Sequence, residues 1–206
     1  MVHPVQLTVA SYNVHGCVGT DGRHDVARVA RVLNELDADL VALQEVECRS
    51  AESSRPADAP TLAELCRVTT IWAPTHPRGD LYFGNALITR LPIRACRNLD
   101  LSIAGYEPRA ALDVDLDASG RRLRVIATHL GLRPSERRKQ VRAILGAVTH
   151  APDTSTLLLG DINEWFMMGR PLRWLHAHFG YSPSLCTFPS RWPVFALDRI
   201  WSHPPS

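Results

Sequence analysis

Apolar and polar positions alternate along this chain with two different periods. Leu7 to Tyr12 is a short β-type run that stops on Asn13. From Asp25 to Leu36 the apolar positions are Val26, Val29, Ala30, Leu33 and Leu36, the spacing of one helical face, with Asp25 placed to cap it. Leu40 to Leu43 is unbroken apolar sequence and predicts a buried strand, followed at once by Gln44 and Glu45. The stretches 49–60 and 75–84, punctuated by Pro, Ser and Gly, read as loops, with a short helix over Thr61 to Val68. Asn85 to Thr89 and Ile93 to Leu101 read as strands about a turn at Leu91-Pro92. Ala111 to Leu116 alternates apolar and acidic residues and predicts a half-exposed strand. Its hairpin partner is Leu123 to Thr128, reached through Ser119-Gly120. Ser135 to Val148 predicts a helix with Val141, Ile144, Leu145 and Val148 inside and Arg137, Arg138 and Arg142 in solvent. A strand over Thr156 to Leu159, a helix over Pro171 to His178 and a strand over Leu197 to Trp201 complete the reading. Many strands with a few helices between them fit two packed sheets with helices outside, and equally a doubly wound sheet; periodicity does not separate the two.

A length of 206 residues, 45% hydrophobic and 21% charged, suits one globular domain over residues 1–206. A net charge of +2 is too small to argue for nucleic acid or an anionic membrane. Two local basic groups, Arg121 to Arg124 and Arg133 to Arg142, are expected to be a solvated strand edge and a solvated helix face. The five cysteines are widely spaced and form no zinc pattern, so free thiols that mostly fill core are expected, in a reducing, cytoplasmic setting. Neither a signal peptide nor a run near the ~18 apolar residues of a membrane span is visible.

Several predicted strands end on groups able to bind a metal or a phosphate. Asn13 ends the first, Glu45 follows LVALQ, His129 follows LRVIAT, Asp161 and Asn163 follow TLLLG, and Asp198 lies in FALDRIW. Each alone is an ordinary turn or strand-end residue. Together they are hard oxygen ligands without a cysteine or histidine cluster, a set that suits Mg²⁺ or Mn²⁺ better than zinc.

The segments SYNVHG, LQEV, GNALITRLP, ATHLGL, GDINEW and LDRIW, in this order from about residue 7 to residue 201, resemble the motifs of the endonuclease/exonuclease/phosphatase superfamily, and look most like a small bacterial branch of it. The resemblance implies an α/β (α+β) fold, a DNase I-like four-layer α/β/β/α sandwich with the site at its rim. It implies a metal-binding Glu45, aided by Asn13, and an Asp161 that orients or deprotonates the attacking water. Asn163 would hold a phosphate oxygen, and His129 would contact the phosphate or support the leaving group. Arg109 would be a phosphate contact, Asn85 a mostly structural one, and Asp198 the orienter of a late catalytic histidine. The cofactor implied is Mg²⁺ or Mn²⁺.

The family's closing Ser-Asp-His motif is not found after LDRIW; His203 lies too close to that strand and lacks the aspartate. The expectation is a C-terminally truncated domain without its last strand or two. The function expected is metal-dependent hydrolysis of a phosphate ester, whether a lipid headgroup, a small phosphodiester or nucleic acid, with no obligate protein partner. Trp72, Trp165, Trp174 and Trp192 could stack on bases, and Phe166-Met167-Met168 could touch a lipid. The alternative is a non-catalytic module that keeps the fold and binds phosphate, lipid or nucleic acid without turnover.

Overall fold

The computed structural model describes residues 6–49, 57–78, 81–148 and 155–203. In chain order the elements are β1 (Val9–Asn13), a 3-10 turn (His15–Cys17), α1 (Val26–Leu36), β2 (Leu40–Arg49), α2 (Asp58–Cys66), β3 (Thr69–Arg78) and β4 (Leu81–Thr89). There follow β5 (Ile93–Asp100), β6 (Ala110–Ala118), β7 (Arg121–His129), α3 (Pro134–Val148), β8 (Ser155–Asp161), α4 (Arg170–Phe179) and β9 (Asp198–His203). One sheet has the order β1-β2-β4-β3 and the other β5-β6-β7-β8-β9. β1 with β2 and β7 with β8 are parallel, each pair joined through a helix, α1 or α3; the other pairings are antiparallel.

Three apolar clusters separate four layers. On β2, Val41 and Leu43 point to α1 and α2, where they meet Val29, Leu33 and Leu62. Leu40 and Ala42, one residue out of phase, point to the second sheet and pack with Leu112, Val114, Val125 and Leu159. Ile126 and Leu158 of the second sheet turn outward to Val141 and Ile144 of α3 and Leu172 and Leu175 of α4. The unbroken apolar run of β2 is therefore a strand buried on both faces, and the architecture is the α/β/β/α sandwich rather than a doubly wound sheet.

Where the sequence reading and the structure differ, long-range partners explain the difference. The 75–84 stretch, expected as a loop, is mostly the facing ends of β3 and β4. Pro74 and Pro77 are tolerated there because β3 is an edge strand, and an edge does not need every N–H. β6 is almost wholly buried rather than half-exposed. Its Asp113 takes a forked pair of hydrogen bonds from Arg124 (2.8 and 2.7 Å), and Arg97 spans Asp113 and Asp115. Arg122 forks onto Asp115. Burial works against ionising both aspartates, but these arginine hydrogen bonds outweigh it and hold both carboxyls below their ordinary value. Arg122 and Arg124 of the first basic group are thus committed to an ion-pair ladder on the face of the sheet toward α3, where Arg124 also reaches the carbonyl of Ala147.

Within α3, Val141, Ile144 and Val148 are buried as expected, but so is Arg137, which was expected in solvent. Its guanidinium pairs with buried Glu164 at 3.2 Å and caps the carbonyls of Gly131 and Leu132. The cysteines do not mostly fill core: of the described ones, Cys17 is buried, Cys66 half-buried, and Cys96 and Cys186 exposed, all as free thiols. The side chain of Cys48 lies outside the described residues. Among those residues no helix is long and apolar enough to cross a membrane.

Candidate active site

The site is built where the ends of β1 and β2 meet the ends of β7, β8 and β9. On the first sheet, β1 aligns Asn13 with Gln44. The pairing of β2 with β4 then slips between Leu43 and Val46. Within that bulge Glu45 adopts φ +56°, a left-handed backbone rare for a side chain of this size. A bulge re-aims a side chain that a regular strand would place elsewhere, and here it turns Glu45 toward Asn13. Asn85 on β4 is buried and donates from Nδ2 to the carbonyl of Ala110 at 2.7 Å. It ties the first sheet to the start of β6, directly after Arg109.

On the second sheet a single row carries three of the groups: His129 is in register with Asp161, and Asp161 with Asp198. Gly160 precedes Asp161 with φ +142°, and a Cβ at that position would fall 1.8 Å from the carbonyl oxygen of Thr128. Only glycine lets β8 approach β7 so closely just before the carboxylate. Asn163 is held at φ +53°. Its N–H donates to Asp161 Oδ1 at 2.9 Å and its Nδ2 to the carbonyl of Leu130 at 2.8 Å. Glu45 in the first sheet and Asn163 in the loop after β8, with His15 and Cys17 of the 3-10 turn, are non-glycine residues in left-handed backbone that line the same cleft, the kind of strain that collects at functional sites.

The two sheets are stitched together by Asn13. Its Nδ2 donates to Glu45 Oε1 at 2.8 Å and to Asp161 Oδ2 at 3.2 Å, while its Oδ1 accepts from the N–H of His15. His15 Nδ1 lies 3.2 Å from the other Glu45 oxygen. Arg109 Nη1 lies 3.1 Å from His129 Nδ1, and Arg109 Nη2 donates to Glu107. A guanidinium only donates, so Nδ1 of His129 accepts and its proton sits on Nε2, 3.6 Å from Asp161 Oδ2. Arg109 Nε is buried and has no hydrogen-bond partner among the described residues. Ser11 Oγ reaches Asp198 at 3.4 Å.

Burial, then the charge of Asp198, raises the Asp161 carboxyl to about 6, against the opposing hydrogen bonds from Asn13 and the Asn163 backbone. Burial also raises Asp198, opposed by Thr187 and Ser11. The site therefore crowds carboxylates beyond what its own cations neutralise. Glu45 and Asp161 lie within hydrogen-bond reach of one amide nitrogen, and Asp198 adjoins them. A hard divalent cation with oxygen ligands fits such a donor set. Glu45 is the carboxylate that could hold it, with Asp161 facing it across Asn13. Asn13, with its amide nitrogen toward both, positions those carboxylates.

A cleft of about 1120 Å³ contains Asn13, Glu45, Asn85, Arg109, His129, Asp161, Asn163 and Asp198, every site residue expected from the sequence. His203 stands apart. It pairs with Thr156, five residues along β9 from Asp198, or about 16 Å. Groups that the sequence reading did not single out are Ser11 and His15, both inside the SYNVHG segment, Glu107, which holds Arg109, and the Arg137–Glu164 pair beneath the GDINEW loop. The cleft's outer wall is aromatic: Trp165 packs edge-on against Phe188 and Phe195, at 5.7 and 4.9 Å between ring centres. Phe166, Met167, Met168, Leu185 and Trp192 lie exposed in the same segments. Trp174 instead lies beneath the Arg142 guanidinium.

Comparison with known proteins agrees with this fold. The Escherichia coli protein YbhP, itself uncharacterized, is 28% identical over 217 residues, covering 94% of this chain and 83% of its own length. The structure of an endonuclease/exonuclease/phosphatase from Beutenbergia cavernae superposes with a TM-score of 0.80 at 23% identity over 96% of this chain; the chain spans 64% of that protein. A mannosyl-6-phosphatase from Bacteroides thetaiotaomicron superposes with a TM-score of 0.75 at 14% identity, covering 97% of this chain and 86% of the other. The pattern of the Endonuclease/Exonuclease/phosphatase family matches residues 10–206, and the chain belongs to that family.

Proposed function

We propose that the chain is a Mg²⁺- or Mn²⁺-dependent hydrolase of phosphate esters. The observation that carries this reading is the seam itself, where Glu45 of one sheet and Asp161 of the other converge on Asn13 while Arg109 and His129 face them across the same cleft. A phosphate ester is anionic and repels its nucleophile. The Arg109 guanidinium and the Nε2–H of His129 are the donors for the non-bridging oxygens. Asp161, raised to about 6, is suited to take the proton of the attacking water near neutral pH, a contribution of about 10²–10⁴-fold. Water adds to phosphorus as its proton passes to Asp161, the ester P–O bond breaks with its electron pair leaving on the ester oxygen, and that oxygen takes a proton from solvent. Asn163 borders the phosphate position, and Asn85 holds the two sheets in register beneath it. A cation held by Glu45 would neutralise charge on the phosphoryl group and help bring water and phosphate together.

For the substrate, the cleft wall favours an ester that carries an apolar or compact group over nucleic acid. Of the arginines that might have formed a basic track, Arg122 and Arg124 are engaged on Asp113 and Asp115 together with Arg97, and Arg137 on Glu164. Trp165 and Phe188 line the cleft instead, and Phe166, Met167, Met168 and Trp192 are exposed in the same two segments. A phospholipid headgroup or a small phosphodiester satisfies both ends of such a site.

The test is hydrolysis of an aryl phosphodiester with Mn²⁺ or Mg²⁺, with EDTA and Glu45→Gln as controls. Turnover that needs the metal and disappears in Glu45→Gln is expected. Folded protein that binds Mn²⁺ and the ester without turnover would replace the hydrolase with a binding module.

A further inference from the structure

Behind the 3-10 turn a second group of ligand-type side chains meets. Cys17 in the turn, His24 at the end of the following loop and Asp58 at the start of α2 bring a sulfur, an imidazole nitrogen and a carboxylate oxygen within 4.8 Å of one another. The chain reaches this arrangement by folding back on itself. Val18 bridges His24, and the N–H of Asp25 donates to the carbonyl of Cys17 at 2.9 Å. Cys17 and Asp58 are buried, at 1% and 0% exposure. His24 covers them from the solvent side, with its side chain 30% exposed.

Two features set this cluster apart from an ordinary buried ion pair. His24 Nε2 lies 2.9 Å from Asp58 Oδ1, but Asp58 Oδ2 is buried without a hydrogen-bond partner among the described residues. A fully buried carboxylate with a bare oxygen is costly unless something compensates it. The second feature is the Cys17 thiol facing the same carboxylate.

We propose that Cys17, His24 and Asp58 are the protein ligands of a zinc-class transition-metal site, separate from the carboxylate site of the cleft. Thiolate, imidazole and carboxylate together select zinc or cobalt over magnesium or calcium, whose preference is for oxygen alone. One thiolate, one carboxylate and a neutral imidazole balance a dication, and the cysteine proton is released on binding. Ligand atoms in a tetrahedral zinc site stand about 3.5 Å apart, so small side-chain rotations close the present spacing, with water from the His24 side in the fourth position. The bare Asp58 oxygen then has its partner. Such an ion clips the start of α2 to the turn that carries His15, the residue beside Glu45, and so stiffens the wall of the cleft that Cys17 helps to line.

The experiment uses chelator-stripped full-length protein titrated with Co²⁺ in excess Mg²⁺, followed by absorption. One equivalent of Co²⁺ should give a thiolate-to-cobalt charge-transfer band and the strong visible bands of a tetrahedral site, and Zn²⁺ should bleach both. The thiolate band should vanish in Cys17→Ser, and cobalt affinity should fall at least tenfold in His24→Ala, a partly exposed position that leaves the core intact. Glu45→Gln should leave the band unchanged, which separates this site from the cleft. Absence of a thiolate band in folded wild-type protein overturns the proposal. So does a band that persists in Cys17→Ser, which would come from the exposed Cys96 or Cys186, and so does full cobalt affinity in His24→Ala.

Discussion

Asn13 Nδ2 lies 3.2 Å from Asp161 Oδ2, and this contact joins the end of β1 in one sheet to the end of β8 in the other. Since the same nitrogen also reaches Glu45 at 2.8 Å, one neutral amide separates two carboxylates. Replacing it by a third carboxylate, Asn13→Asp, should destabilise the metal-free protein and sharpen its need for a cation. Thermal melting with Mn²⁺ and with EDTA is the check. The gap between the two melting temperatures should widen in the variant by several degrees, since about 1 kcal/mol moves the midpoint of a domain this size by roughly 2–4 °C. An unchanged gap would mean that the amide does not set the charge balance of the site.

The raised carboxyl of Asp161 gives stability a pH dependence of definite sign. The native state keeps its proton between 3.8, the ordinary value, and about 6, where the unfolded chain has lost it. Stability of the metal-free protein therefore falls as pH rises through that window, by about 3 kcal/mol if the full shift is expressed. Asp198, also raised, acts in the same direction. Urea unfolding in EDTA at pH 4 and pH 6.5 should show this loss in the wild type and a smaller one in Asp161→Asn. The same substitution should lower metal-supported hydrolysis by about 10²–10⁴-fold, the loss expected for a missing general base.

Arg109 does more than supply charge. Its fork touches His129 and Glu107 together, and by donating to Nδ1 it keeps the histidine proton on Nε2, toward Asp161. Arg109→Lys keeps the charge and loses the fork. We expect kcat of the variant to fall by roughly 10-fold or more, about 1.4 kcal/mol of transition-state binding, with a smaller change in KM. A lysine variant with wild-type kcat would reduce Arg109 to a point charge.

Beneath the GDINEW loop, Arg137 and Glu164 are buried and 3.2 Å apart. Removing one partner leaves a buried charge alone, so Arg137→Met should cost about 3–5 kcal/mol in urea unfolding. Arg137→Met combined with Glu164→Leu should recover most of that loss. If the double variant is as unstable as the single one, the pair's value lies in the carbonyls of Gly131 and Leu132 that Arg137 also caps.

Features set by nearby residues were the ones legible in the sequence. Asp25 with the Val26, Val29 and Leu33 spacing was enough for α1, and the Asp25 carboxylate does accept the N–H of Arg28. The polar ends of β1, β7 and β8 were visible because an apolar run that stops abruptly marks a rim. What the sequence hid depends on distant partners. Asp113 and Asp115 look solvent-facing until Arg97, Arg122 and Arg124 are brought across from β5 and β7. Arg137 looks like the outer face of a helix until Glu164 arrives. β3 looks like a loop until its edge position removes the objection to proline. The bulge at Glu45 and its partner His15 were equally hidden, since no periodicity announces a one-residue slip.

The groups facing the cleft come from residues 13 and 45 on one side and from 109, 129, 161 and 198 on the other, with Ser11 and Asp198 in contact across 187 positions. A chain emerging from the ribosome cannot assemble this cleft from its first half, nor can the second half complete it alone. Long-range closures of this kind form late. The reactive surface exists only after both sheets have met, so hydrolysis, once observed, is itself a report that the molecule has finished folding.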